Sequence, residues 1–418
     1  VIGWLAAPLP LAYAQEAPST EIWPIRSVDN MKTSRDLARA KNYDSSFDTQ
    51  IEAEVSSIKA LGANYIALGT PYDDEFLPFL QRWVAAARRH GLKVWFRGTF
   101  SGYEGWFEYP KDISPDQLIE LSTTFILQNP DLFEDGDIFD ACPECENAGH
   151  WPQPQSDAAY NAFIFKKNKD LQVAADKSGK KIIVNYPSII GGRVKDVVTP
   201  STLQALGGVA TIDHYAKYPA NYEAYITLFR DQYQSKTLFG EVGAPIPDLH
   251  GQMSEQQQAD FMDEVLQILY QNRADVVGMN YWVYNVGTTS LYNKGNQPRR
   301  VAEVLKNYFI PGVISGTLTN DLGEPIANVP VVIKGVAETV TSESGYYSFV
   351  LPAGDVYAFE FGGTEYINQN HTYAFAQGEQ KQVSLQLSAI SQTFMYKLKL
   401  QWQSLWKGIV LKVNHGGR

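Results

Sequence analysis

The chain has 418 residues, too many for one ordinary core, so two domains or one large barrel with an appendage are expected. Hydrophobic residues make up 44%, enough for a full core, which excludes global disorder. A formal net charge of −11 excludes nucleic acid as the main partner, because phosphate binding needs a basic surface.

The first stretch reads VIGWLAAPLPLAYAQEAPSTE. An apolar run followed by Ala12-Tyr13-Ala14 before Gln15 matches the end of a secretory signal with an A-x-A cleavage site. The first residue is Val, so the charged leader and initiator are expected to be missing and residues 1–20 to be a signal remnant and linker. The alternative is a buried N-terminal strand, and two prolines in the run oppose it. A secreted or cell-surface protein is therefore expected. No later segment offers the roughly 18 consecutive apolar residues of a membrane span.

From residue 21 to 310, strand-like runs alternate with helical patterns. The runs are EIWPIRSV (21–28), NYIALG (64–69), LKVWFRG (92–98), DIFDAC (137–142), KIIVNYP (181–187), VATIDHY (209–215), TLFGEVG (237–243) and DVVGMNYWVY (275–284). Between them lie helical stretches such as FLPFLQRWVAAARRHG, SPDQLIELSTTFILQNP and SEQQQADFMDEVLQILYQN. Several open at Ser, Thr or Asp and close at Gly or Asn, the usual start and stop residues. Eight such strands predict a parallel (β/α)8 barrel. The competing fold, an open doubly wound sheet, wants a glycine-rich turn after its first strand. That position reads SVDNMKTSRD, without glycine.

At Pro311-Gly312 the texture changes. Short alternating runs and turn signals follow to residue 388, and they predict a small all-β sandwich. The runs GTLTNDLGEPIANVPVVI and TSESGYYSFVLPAG resemble the carboxypeptidase regulatory-like (transthyretin-like) module. That resemblance implies an accessory role without chemistry of its own. Residues 389–418 form a basic tail that contains no Asp or Glu. It fits an added strand, a solvated tail or an anchor to an acidic cell-surface polymer.

In a (β/α)8 barrel the site forms at the C-terminal ends of the strands. After the fourth strand comes Pro143-Glu144-Cys145-Glu146-Asn147, and the seventh ends in Gly240-Glu241. Two carboxylates so placed face each other across the barrel mouth, as glycoside hydrolysis requires. Glu146 competes with Glu144 for the place of the acid. Arg97 follows strand three and suits a carboxylate or hydroxyls; an internal ion pair is the plainer reading. Trp106 and Trp151 lie in loops at the same end, where a ring can stack on a sugar. Any one of these alone fits packing equally well.

Glutamates closing strands four and seven resemble the clan A glycoside hydrolases. The clan's strand-four motif is commonly Asn-Glu-Pro-Glu, so the resemblance implies Glu144 as acid/base and Glu241 as nucleophile. It also implies that Tyr215 hydrogen-bonds the nucleophile and that Trp282 is a platform under the reacting sugar. One departure stands out: the clan's Asn before the acid, which contacts the sugar 2-hydroxyl, is Pro143. Asn147 or Asn185 would have to replace it. The implied function is retaining hydrolysis of a β-linked glucan or mannan type poly- or oligosaccharide, without cofactor or metal. The alternative is a non-catalytic barrel that binds cell-wall carbohydrate.

Cys142 and Cys145 are the chain's two cysteines. C-x-x-C is half of a structural zinc site, with His150 as a third ligand and no second pair. It also fits free thiols, a redox pair, or a disulfide that stiffens the turn carrying Glu144. A metal-dependent hydrolase would need His and Asp at strand ends, and the six His include no H-x-H pair.

Overall fold

The computed structural model describes residues 20–100, 106–110, 113–147 and 157–390. The leader, Trp151 and the tail from residue 391 lie outside the described residues, as do the side chains of Trp106 and Asn147.

Eight strands form the first sheet: β1 (Ile25–Asp29), β2 (Tyr65–Leu68), β3 (Lys93–Phe96), β4 (Ile138–Phe139), β5 (Ile189–Ile190), β6 (Val209–Asp213), β7 (Lys236–Val242) and β8 (Val276–Tyr281). Their spatial order is β4-β3-β2-β1-β8-β7-β6-β5, and neighbours are parallel. A parallel bridge from Ile138 to Ile183 closes the ring. The predicted barrel is therefore the observed one.

Strand five departs from expectation. Only Ile183 of the expected 181–187 run joins the ladder, and the strand proper is Ile189–Ile190. Pro187 has no N–H to donate, so the run breaks there. Its first half meets β4 and its second half meets β6.

Alternation along each strand sorts inside from outside. Ile25, Tyr65, Trp95, Ile138, Val209 and Leu238 fill the barrel interior in one small cluster. Val94 and Phe96 point out to the helices, where Phe96 packs on Phe133 at 4.8 Å between ring centroids. Helix Leu77–Arg89 buries Phe79, Leu80, Trp83 and Val84 on its inward face. Helices Pro115–Gln128 and Glu255–Gln271 begin at Ser114 and Ser254, each in a full capping box with Gln three residues on. No helix among the described residues is long and apolar enough to cross a membrane.

The second region has two sheets. One orders as β11-β10-β13-β14, with β10 (Pro330–Ile333), β11 (Ala337–Val340), β13 (Val356–Phe361) and β14 (Gln369–Ala374). The other centres on β9 (Gly312–Thr319), with β12 (Tyr346–Leu351) antiparallel to it. The short β15 (Gln380–Gln382) and β16 (Leu385–Gln386) lie parallel to β9. Tyr347 meets Phe361 and Phe349 meets Phe359 between the sheets, which makes a sandwich.

This sandwich is not tethered at a distance. Tyr270, on a barrel helix, donates to the Val350 carbonyl at 2.9 Å. The Ala353 N–H donates to the Asn307 carbonyl, and that of Gly378 to Ile310. One apolar cluster runs from Leu305 and Phe309 into Ile314 and Phe375. Ending the chain after Ile310 is expected to lower the urea midpoint of the barrel, at about 1.5–3 kcal/mol for each large apolar side chain uncovered. An unchanged midpoint would make the module an accessory, as its resemblance implies.

Candidate active site

The barrel mouth is assembled by inward alternation at strand ends. On β3, Trp95 points inward, and so does Arg97 two residues later. Arg97 is 0% exposed and lies 5.5 Å above the Trp95 ring. On β6 the inward set is Val209, Thr211 and Asp213. On β1 it ends at Asp29, whose carboxyl lies 3.6 Å from the Arg97 side chain.

Glu241 reaches the centre by a different route. Strict alternation from inward Leu238 would send Glu241 outward. Instead the register slips: Ile212 pairs with Phe239, and Asp213 pairs with Glu241. Gly240 is the extra residue, and such a bulge re-aims the side chain after it. A Cβ on Gly240 would lie 2.3 Å from an Asp213 carboxylate oxygen and 2.5 Å from the Ser188 hydroxyl. Only glycine fits there. The bulge frees the Gly240 carbonyl, which accepts from Arg97 at 3.2 Å and from Asn280 at 2.9 Å.

Glu241 accepts hydrogen bonds from Arg97 at 2.7 Å and from the Tyr215 hydroxyl at 2.7 Å. The second is the contact expected of Tyr215. Arg97 also donates to Asp213 at 2.9 Å and to the Ser188 hydroxyl at 2.9 Å. With no exposed surface, Arg97 has none to offer a sugar, so the expected substrate contact does not form there; its partners are protein carboxylates and oxygens.

Glu144 sits in the turn after β4 with a left-handed φ of +52°. Non-glycine residues held there cluster at functional sites. Its N–H donates to the Ser188 carbonyl at 2.9 Å. A disulfide joins Cys142 and Cys145 across the turn, with Cα atoms 5.2 Å apart. Of the four readings of C-x-x-C, this is the stiffening one. Glu146 is engaged elsewhere. It is 4% exposed and accepts from the Ile190 N–H at 2.6 Å and the Tyr160 hydroxyl at 3.0 Å. Both its oxygens serve to hold the turn, whereas one oxygen each from Glu144, Asp213 and Glu241 lies within 4.8 Å of the others. These three carboxyls are also the one described set able to offer a cation three oxygens, and Arg97 already supplies their counter-charge.

Protonation follows from these contacts. Burial, then Asp213, Glu241 and Glu146 nearby, push Glu144 up to about 10. Burial and Asp213 push Glu241 up to about 8, against the lowering pull of Arg97 and Tyr215. Burial raises Glu146 to about 7 and lowers His214 to about 4. Arg97 and Tyr215 donate directly to Glu241 and so favour its ionised form over that of Glu144, which Arg97 affects only through space.

The remaining expected residues divide. Trp282 lies half-buried at the end of β8, with the Lys32 ammonium 5.9 Å from its ring centroid. Asn185 is away from the mouth. Ile190 pairs with Asp213, so a residue five earlier lies level with the start of β6. There Asn185 donates to the Leu206 carbonyl at 2.6 Å, and it does not replace the missing asparagine. The break at Pro187 is what the sequence reading of strand five overlooked. Trp106 opens a short turn whose backbone is described, Asn147 closes the turn after Cys145, and Trp151 is outside the described residues. Asp213, Asp29 and Ser188 were not anticipated.

The fold and this mouth define a class: a (β/α)8 barrel with a close carboxyl pair at strands four and seven, followed by a β-sandwich. Solved structures share the fold. A GH5_18 variant from Bifidobacterium longum subsp. longum, in complex with Manβ1-4GlcNAc, matches at TM-score 0.52 and 13% identity, over 72% of this chain and 84% of that one. GH5_18 from Streptomyces cattleya, in complex with GlcNAc, matches at TM-score 0.50 and 12% identity, over 71% and 84%. At such identities the likeness establishes the fold. No family model and no curated protein matches the sequence.

Proposed function

We propose that this protein is a retaining glycoside hydrolase that cleaves a β-linked glucan or mannan type poly- or oligosaccharide. Glu144 is the acid/base and Glu241 the nucleophile. The observation that carries this reading is the approach of the two carboxyls, with oxygens within 4.8 Å. Retaining enzymes hold the pair at roughly 5–5.5 Å between carboxyl groups, whereas inverting ones need about 6.5–9.5 Å to admit a water.

Protonated Glu144 donates to the leaving oxygen while Glu241 attacks the anomeric carbon. Glu144 then takes a proton from the water that releases the glycosyl group. Arg97 and Tyr215 hold the Glu241 carboxylate in place through the cycle. The test is proton NMR of the first product formed from a β-glycoside. The β-anomer is expected at the start; the α-anomer would overturn the double displacement.

The pH dependence has a definite sign. Turnover needs Glu241 ionised and Glu144 protonated, so it falls on the acid side as Glu241 gains its proton and on the alkaline side as Glu144 loses its own. Both groups are raised above the ordinary carboxyl value of 4.5. A bell-shaped kcat/KM profile with both limbs displaced upward is expected. An acid limb at the ordinary value would contradict it.

A second reading has one observation in its favour: Pro143 stands where the clan's 2-hydroxyl contact should be, and Asn185 lies too far away to replace it. In that reading the barrel binds cell-wall carbohydrate without cleaving it, and affinity without release of reducing sugar would be its mark. We also propose export to the cell surface or beyond. The A-x-A leader supports this, and so does the Cys142–Cys145 bond, which belongs to an oxidising compartment. The sandwich, read as a carboxypeptidase regulatory-like module, and the basic tail are proposed to contact the cell surface.

A further inference from the structure

We infer that Ser188 and Asp213 form a positioning pair that ties the acid/base turn to the nucleophile strand through Arg97 and keeps the shared proton on Glu144. This rests on the roles given to Glu144 and Glu241 above and adds two residues that those roles do not require.

Ser188 is 1% exposed and uses every polar atom it has. Its N–H donates to Asp140 at 2.9 Å, which anchors the start of the turn. Its carbonyl accepts from the Glu144 N–H at 2.9 Å. Its hydroxyl donates to one Asp213 oxygen at 2.5 Å and accepts from Arg97 at 2.9 Å. One side chain thus grips the acid's turn by the backbone and the nucleophile's cation by the hydroxyl.

Asp213 is 3% exposed. Its second oxygen accepts from the Arg97 nitrogen that also serves Glu241, at 2.9 and 2.7 Å. The bulge at Gly240 supplies the room for this pair, since a Cβ there would collide with both partners. A structural ion pair for Arg97 needed one carboxylate; the site has two on one nitrogen, with a third carboxyl, Glu144, close by.

Charge explains what the extra carboxylate does. Asp29, Arg97 and Glu241 face Asp213 from β1, β3 and β7. Asp140, Glu144 and Glu146 face it from the turn after β4, and Lys167 stands behind Asp140 at 3.9 Å. Tyr215 follows two residues after Asp213, and the His214 ring packs against that of Tyr225, 4.2 Å between centroids. Two buried cations cannot balance six ionised carboxyls, and unpaired buried charge is costly. Asp213 and Glu241 hold Arg97 directly and Asp29 approaches it at 3.6 Å, so these three carboxyls have first claim on its charge. Glu144 touches neither cation and lies against two anions, so it keeps its proton.

The test is Asp213→Asn, which preserves shape and removes the charge. The readout is the infrared band of a protonated carboxyl, assigned to Glu144 as the band lost in Glu144→Gln. In the parent it is expected to persist above neutral pH. In Asp213→Asn it should titrate at least about one pH unit lower, a tenfold change in proton affinity. Ser188→Ala, a milder change that leaves the charge but frees it from its donor, should move the band the same way by less. An unmoved band in both variants overturns the inference, whether or not the protein cleaves glycosides. A moved band with no cleavage by the parent retires the hydrolase reading and leaves the positioning pair standing. If glycosides are cleaved, Asp213→Asn should lower kcat on an alkyl glycoside and leave a dinitrophenyl glycoside nearly untouched, because only the alkyl leaving group needs the acid. Equal losses on both would mark Asp213 as merely structural.

Discussion

Glu241→Gln is expected to give a folded protein whose kcat falls by roughly 10⁴–10⁶ on every glycoside, however good its leaving group. The fold survives because glutamine keeps the shape and Arg97 keeps Asp213 as its partner, 2.9 Å away. The loss is general because the nucleophile acts on the anomeric carbon whatever departs. Glu144→Gln makes the contrast. Its loss should be about 10²–10⁴ on alkyl or sugar leaving groups and small on a dinitrophenyl glycoside. Steady-state kinetics on the two substrate types separates the roles. Similar profiles for the two variants would mean that the acid and the nucleophile have been misassigned. Activity close to the parent's in Glu241→Gln would remove the double displacement altogether.

Much of this site was legible at strand ends. Reading the ends of the apolar runs brought Glu144 and Glu241 to one end of one barrel, and the resemblance to the clan added Tyr215 and Trp282 there. What the runs concealed was register. Asp213 ends a strand whose inward residues alternate from Val209, so that alternation alone made it available. Asp29 follows likewise from Ile25. Glu241 points inward for a reason no periodicity displays, the bulge at Gly240. The glycine before the carboxylate is a trace of it, but a trace readable only once Ser188 and Asp213 are seen to fill the space of its missing Cβ.

Strand five was the weak point. Its apolar run KIIVNYP suggested a continuous strand, and Asn185 near its end looked well placed. Pro187 divides the segment, and the ladder resumes at Ile189. That displacement moves Asn185 toward the barrel's other end and puts Ser188 at the centre. A serine in a loop carries no signal of its own, because its value lies in four partners distant in sequence. The choice between Glu144 and Glu146 had the same character. Both are glutamates in one turn, and only the Ile190 N–H and the Tyr160 hydroxyl tell them apart. In the sandwich, alternation located the strands but not their direction; β15 and β16 run parallel to β9.

Arg97→Met should be the most damaging single change to stability at the mouth. Arg97 is fully buried, so solvent does not screen its interactions. Burial opposes its charge, and Asp213, Glu241 and Asp29 around it outweigh that cost and raise its pKa further. Methionine fills much of the volume above Trp95 and supplies no charge. Removing one partner of a buried ion pair typically costs about 3–5 kcal/mol, because the carboxylates left behind lose their counter-charge. Part of that loss is recovered when Glu241 or Asp213 takes up a proton, and this recovery ties stability to pH. Without Arg97 the folded-state pKa values of both carboxyls rise further above their unfolded values. The variant should therefore be most stable at low pH, where the carboxyls are neutral in both states, and lose stability as pH rises past the unfolded values. Urea midpoints of the parent and Arg97→Met across the acid range measure this difference. The gap should widen as pH rises. A gap that stays constant would mean that Arg97 holds the mouth by packing on Trp95, and that the charge of Glu241 is set by something else.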